Sequence, residues 1–167
     1  MVLSRKSCPV PLEQQPLEEY YSLIVSDFFS LPAKDVKIYF LFLLILSFAF
    51  TFFISLLFFP SKLFYSSDPE LIITIFIIAD CFASLLIIRL YFSWSYISKR
   101  LLSATVFYEE SGWYDGQIWV KTTDVLIQDR LIAMNVCLPL INRIKASIIV
   151  FLIKILVEIG LLISGSI

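Results

Sequence analysis

From Ile38 to Phe59 the chain runs for 22 residues without a charge, a proline or a glycine. As a helix that stretch is roughly 33 Å long, enough to cross a hydrocarbon core of about 30 Å. Lipid offers a backbone no hydrogen-bond partners, so helix is the form it must take there. A second apolar run, Leu71 to Ile88, is broken only by Asp80. It continues at helical spacing to Ile97, past Arg89 and a collar of Tyr91, Trp94 and Tyr96, residues that a membrane–water boundary favours. The third run, Ala146 to Ile163, contains Lys154 and Glu158. Its 13 Ile, Leu, Val and Phe residues favour insertion by roughly 4 to 8 kcal/mol, and its two charges oppose it by about 5 to 7. That segment inserts only if its charges find partners. The pattern predicts an all-α integral membrane protein with three transmembrane helices at about 38–59, 71–97 and 146–163.

Around the spans, residues 1–37 form an N-terminal segment, punctuated by Pro9, Pro11 and Pro16 and expected to be an extended strap at first. Leu17, Tyr21, Ile24 and Phe28 then recur at helical spacing and predict a short interfacial helix. Ser30 before Leu31-Pro32 is a candidate helix cap. Residues 38–97 hold the first two membrane helices, joined by a short 60–70 loop. Residues 98–145 are the one long extramembrane stretch. Ala104–Glu110 and Gln117–Lys121, rich in β-formers and separated by Gly112 and Gly116, predict a hairpin. Asp124 is placed to cap a following helix that Pro139 stops or kinks, with Ile127, Leu131, Met134 and Leu138 along one face. Residues 146–167 are the third membrane helix and tail. So short a loop module buries no core of its own and must lean on something else.

The absence of histidine removes imidazole-based catalysis, bis-histidine haem ligation and most zinc or copper sites. Three scattered cysteines (Cys8, Cys81 and Cys137) make neither a disulfide framework nor a metal cluster. A net charge of −1 with no basic stripe argues against nucleic acid as a partner. The sequence therefore nominates no catalytic or metal-binding residue and identifies no cofactor; the lipid bilayer is the one partner it specifies. Basic residues are strongly asymmetric. Arg5, Lys6, Lys34, Lys37, Lys99, Arg100, Lys121, Arg130, Arg143 and Lys145 fall on one side of a three-span topology, against Lys62 on the other. The positive-inside rule then puts the N-terminus and the 98–145 loop on the protein-synthesising side and the C-terminus opposite.

Asp80 lies nine residues before Arg89, and Lys154 nine residues after Lys145. If Arg89 and Lys145 mark the same boundary of two antiparallel helices, both charges sit roughly 13–14 Å deep. Glu158 is one turn beyond Lys154 on the same face. These spacings predict an intramembrane cluster of Asp80, Lys154 and Glu158. Its plainest role is to pin the second and third helices in register; proton or ion handling and contact with a partner subunit are the alternatives. In the loop, Glu109, Glu110, Trp113, Tyr114, Asp115 and Trp119 combine acids with aromatics, a composition suited to docking. Paired-acid catalysis is disfavoured because adjacent strand residues point to opposite faces. Surface packing of Phe107, Trp113 and Trp119 is the simpler alternative to docking.

Two stretches carry a resemblance. SCPVPLEQQPLEEYYSL at 7–23 and RLLSATVFYEESGWYDGQIWVK at 100–121, followed by DRLI at 129–132, resemble a plastid and cyanobacterial membrane family. Its plastid-encoded members are called hypothetical chloroplast reading frame thirty-six, and its nuclear relatives belong to the set named conserved in the green lineage and diatoms. The resemblance implies a chloroplast protein with a few transmembrane helices and unknown molecular function. The thylakoid is favoured over the inner envelope, although both membranes keep a positive-inside stroma, and the charge asymmetry puts the N-terminus and loop module on the stromal side. The expected role is non-enzymatic: assisting assembly, stability or acclimation of the photosynthetic apparatus through stromal protein partners. The alternatives are a small oligomeric transporter or channel subunit using the intramembrane charges, and a pigment- or lipid-binding subunit.

Overall fold

A computed structural model of the chain describes residues 8–58, 69–109 and 116–165. Helix accounts for 82% of it, so the class is all-α despite one small hairpin. The elements are α1 (Pro16–Val25), α2 (Val36–Phe58), α3 (Pro69–Leu102), β1 (Thr105–Tyr108), β2 (Gln117–Val120), α4 (Thr123–Ile132) and α5 (Leu138–Gly165). Three helical stretches, within α2, α3 and α4–α5, are long and apolar enough to cross a membrane. Each helix starts before the apolar window that predicted it, and α3 and α5 also run past its end. Hydropathy marks where lipid would begin, whereas the hydrogen-bond ladder continues until a cap or proline ends it. The 60–70 loop lies outside the described residues except at its last two, Pro69 and Glu70, where α3 already begins.

The chain divides into two compact units, Lys34–Tyr91 with Arg143–Ile167, and Met1–Ala33 with Phe92–Asn142. In the first, α2 buries Tyr39, Leu43, Ser47 and Ile54, while α3 buries Ile75, Ala79, Asp80, Ala83, Ile87 and Leu90. Ala79 and Ala83 are fully buried, and small side chains let apolar helices approach closely. Ile54, Ile75 and Ala79 form one core cluster with Phe50, Leu71 and Ile78 against it. Phe50 and Phe82 stack with ring centroids 6.1 Å apart. From α5, Ile144, Ser147 and Phe151 are buried. The opposite faces expose Phe48, Phe52, Phe53, Ile153, Leu156 and Val157, an inversion of soluble-protein patterning that only a lipid solvent accommodates.

In the second unit, β1 and β2 pair antiparallel in the register Thr105↔Val120, Val106↔Trp119, Phe107↔Ile118 and Tyr108↔Gln117. Val106 and Tyr108 pack with Val10 of the strap, with Cys8 and Trp119 against them. Helix α1 starts at Pro16, whose missing N–H costs nothing in a first turn, and carries Glu18 and Glu19 there, where the helix dipole favours acids.

Several expectations need correcting. The buried face of α1 is Pro16, Leu17 and Tyr20; Tyr21 is exposed, and Phe28 lies beyond the end of the helix. Trp94 is not part of an open collar. It is fully buried, donates its indole N–H to the Phe29 carbonyl at 2.9 Å, and meets the Tyr20 ring edge-on at 6.3 Å. Ser30 directly precedes a 3₁₀ turn, Leu31–Ala33, rather than the membrane helix; its carbonyl accepts the Ala33 N–H at 2.9 Å, and its hydroxyl donates to the Asp27 carbonyl. Thr122, not Asp124, holds the cap position of α4, and Asp124 sits in the first turn. Pro139 does not end the helical run. A π-helical turn, Ala133–Cys137, precedes it, and α5 starts one residue before the proline. The proline therefore sits in a first turn, where its missing N–H and bulky ring are tolerated.

Candidate functional site

Within the α2–α3–α5 unit, the structure brings Asp80, Lys154 and Glu158 together. Lys154 Nζ lies 2.7 Å from Asp80 Oδ2 and 3.7 Å from Glu158 Oε1. Asp80 is fully buried and Lys154 is 43% exposed at its side chain. The Asp80–Lys154 contact is an ion pair rather than an aligned hydrogen bond, since Oδ2 has no hydrogen-bond partner. The other Asp80 oxygen, Oδ1, accepts a 2.8 Å bond from the Ser47 hydroxyl of α2. Lys154 Nζ also reaches Ser47 Oγ at 3.4 Å and lies 5.8 Å from the centre of the Phe76 ring. Ser47 was missed from sequence. It ties the third helix of the unit into the cluster, which is thus a three-helix junction, not a two-helix pair. Two carboxyls and one ammonium leave one negative charge in excess, which a single proton on either acid would balance. Of the boundary residues, Lys145 Nζ stands 5.9 Å over the Tyr91 ring, while Arg89 is exposed midway along α3.

The hairpin unit has its own polar framework, none of it foreseen. Lys121 follows β2 directly and its side chain is sealed from solvent. Its three donors are all used: Asp129 Oδ2 of α4 at 2.6 Å, and the Arg100 and Leu101 carbonyls at 3.0 and 3.2 Å. One ammonium therefore joins the end of β2, the last turn of α3 and the middle of α4. A cation at a helix C-terminus also meets the favourable end of the dipole. Arg100 pairs with Glu19 of α1 and donates to the Gln14 carbonyl at 2.9 Å. Burial pushes the Glu19 carboxyl above its ordinary value, outweighing the opposite pull of Arg100. Its second oxygen is buried without a hydrogen-bond partner, which is why desolvation wins. The Gln14 side-chain amide bonds both backbone groups of Glu109, donating to its carbonyl at 3.0 Å and accepting from its N–H at 2.9 Å. Gln14, Tyr96, Lys99, Arg100, Phe107 and Glu109 help line a groove of about 690 Å³.

Of the predicted docking residues, Glu110, Trp113, Tyr114 and Asp115 lie outside the described residues. Glu109 is exposed. Trp119 is not a free anchor, because it packs on the strap side of the hairpin. Phe107 stands on the opposite face with Ile118 and Val120, at 69, 59 and 66% exposure. Strand alternation separates Phe107 from Trp119, so the two cannot share one packing surface. Among the described residues, no group of three acids or cysteines is arranged to hold a metal ion.

A bundle of helices long and apolar enough to cross a membrane, pinned by internal charges, together with a small hairpin-and-helix unit, defines a multi-pass membrane protein. Residues 8–150 match the family described as CGLD27-like, Conserved in the green lineage and diatoms 27. The chain belongs to that family. It is 47% identical over 144 residues to the uncharacterized protein ycf36 of Cyanophora paradoxa, covering 84% of this chain and 89% of the relative. It is 45% identical over 153 residues to the ycf36 protein of Porphyra purpurea, covering 87% and 88%. A 66-residue stretch is 52% identical to the Arabidopsis thaliana protein Conserved in the green lineage and diatoms 27, chloroplastic, covering 40% of this chain and 20% of that protein. No solved structure matches the chain. Family and apolar helices together support a plastid membrane protein of uncharacterised function.

Proposed function

We propose that the chain is a non-enzymatic chloroplast membrane protein that assists assembly, stability or acclimation of the photosynthetic apparatus by docking a partner on the stromal side. The observation that carries this reading is the bare hairpin face of Phe107, Ile118 and Val120, at 59–69% exposure. An apolar face of that kind outside the bilayer favours a protein contact. The basic asymmetry of the sequence supports a stromal hairpin and N-terminus, and the thylakoid is the membrane where such partners lie. The intramembrane charges fit the pinning role, since Lys154 meets Asp80, Ser47 and Glu158 inside one bundle.

The test is native electrophoresis of mildly solubilised plastid membranes. Co-migration of the tagged full chain with a photosystem or cytochrome complex supports the reading; migration at monomer size in every membrane fraction defeats it. One observation favours a second reading, transport or channel activity in an oligomer: the 43% exposure of the Lys154 side chain beside two acids. That reading requires a homo-oligomer and an ion-dependent phenotype abolished by Asp80→Asn.

A further inference from the structure

The two outer edges of the hairpin are treated differently. The Lys121 N–H donates to the Ala104 carbonyl at 3.0 Å, one residue beyond the Thr105↔Val120 pair, and this fixes the parity of the ladder. Val106 and Trp119, and likewise Tyr108 and Gln117, exchange backbone bonds across the ladder. Thr105, Phe107 and Glu109 turn theirs outward on β1, as Ile118 and Val120 do on β2. The β1 edge is largely sealed. The Ser103 hydroxyl serves both backbone groups of Thr105, and the Gln14 amide serves both of Glu109. Among the described residues, nothing pairs with the outward groups of Ile118 or Val120.

Edges are commonly guarded by an outward lysine or a proline. Here Gln117–Val120 carries neither, and the adjacent Lys121 is turned inward and sealed against Asp129. The open edge presents two outward N–H/C=O pairs at alternate residues, a spacing that only another extended backbone matches. The side chains beside it, Ile118 and Val120, are large, apolar and exposed.

We propose that β2 is a strand-addition site that accepts an extended segment of another protein, with apolar residues at alternate positions and a lysine or arginine at its ends. Charge selects this occupant. Exposed Glu109 follows β1 and exposed Asp124 follows β2. Acids therefore bracket the edge at both ends. A second copy pairing antiparallel would bring Glu109 of each hairpin towards Asp124 of the other, a like-charge arrangement. A basic-ended segment meets both ends favourably, while backbone bonds supply the affinity and alternate side chains the selectivity. The inference rests on the docking reading above only in naming the same surface.

The experiment uses the full chain in nanodiscs and a labelled synthetic peptide, Lys-Thr-Val-Thr-Val-Thr-Lys. Two controls accompany it, one with glutamate at both ends and one with proline at the central residue. Saturable binding of the basic peptide is expected, with slowed amide exchange at Ile118 and Val120. The glutamate-ended and proline peptides should bind at least about tenfold more weakly. Ile118→Pro removes an outward donor without touching the β1 ladder, a position where edge proline is tolerated, and should weaken binding comparably while the protein still folds. If Ile118→Pro fails to fold, the proline peptide on the unaltered protein carries the same test. Equal binding of all three peptides, or protection absent from Ile118 and Val120, overturns the proposal. So does a dimer of the full chain that Ile118→Pro dissolves, because the occupant is then a second copy. Peptide binding without a co-migrating photosynthetic complex would defeat the assembly reading alone. Co-migration that survives Ile118→Pro would defeat strand addition alone.

Discussion

Lys121 Nζ lies 2.6 Å from Asp129 Oδ2, with 0 and 3% of their side chains exposed. A buried pair of this kind contributes little beyond what apolar residues of the same size would, but breaking it strands a charge at a cost of about 3–5 kcal/mol. Lys121→Met should therefore destabilise the hairpin unit by about that amount, since Asp129 and two carbonyls lose their partner. Lys121→Met with Asp129→Leu should recover most of the loss. Protease sensitivity near 105–120 in the detergent-solubilised protein measures both; a double variant as labile as the single contradicts the reasoning.

Gln14 and Glu109 give a smaller effect. Gln14→Ala removes two exposed hydrogen bonds between strap and hairpin, each worth about 0.5–1.5 kcal/mol at most. Faster amide exchange at Glu109, with little change in global unfolding, is the expected result by hydrogen-exchange mass spectrometry.

Glu19 makes the hairpin unit sensitive to pH. Its carboxyl is raised above 4.5 by burial, so the folded form holds the proton more tightly than the unfolded chain does. Its contribution is fully present below the unfolded value and is lost as pH rises through the folded value, then levels off. Glu19→Gln carries no titrating group and should lack that decline. Thermal unfolding of both proteins across pH 4 to 7 checks the sign (about the range an ordinary carboxylate titrates in). An increase in stability over that interval attributable to Glu19 would contradict it.

What the sequence made legible, and what it hid, follows from the kind of signal each feature leaves. A charge in an apolar run announces itself, and its distance from a basic flank gives its depth. Asp80 and Lys154 were therefore placed level before any contact was known. Ser47 left no such mark. A serine in a membrane helix can satisfy itself on its own backbone, as Ser55 does on Phe52, so its bond to Asp80 has no counterpart in the local pattern. The helical run through α4 was half legible. Its stripe of Ile127, Leu131, Met134 and Leu138 was readable from the spacing, but not that this stripe is exposed while Asp129, Ala133 and Cys137 are buried. Periodicity assumes that carboxylates face water, and Asp129 faces inward only because Lys121, eight residues earlier, meets it there. The hairpin itself was readable from β-rich runs flanking two glycines. Which of its faces is bare was not, because that depends on the distant Val10 packing beneath it.

The charge junction of α2, α3 and α5 is the centre of the account, and a charge exchange across it is the most direct measurement. Asp80→Lys and Lys154→Asp should each lower accumulation of the protein in its membrane several-fold, as expected when about 3–5 kcal/mol of stability is lost. Ser47→Ala should cost less, about 1–3 kcal/mol, leaving Asp80 with its cation. The account predicts that Asp80→Lys combined with Lys154→Asp restores accumulation towards the unaltered level. A double variant as depleted as either single one would contradict it.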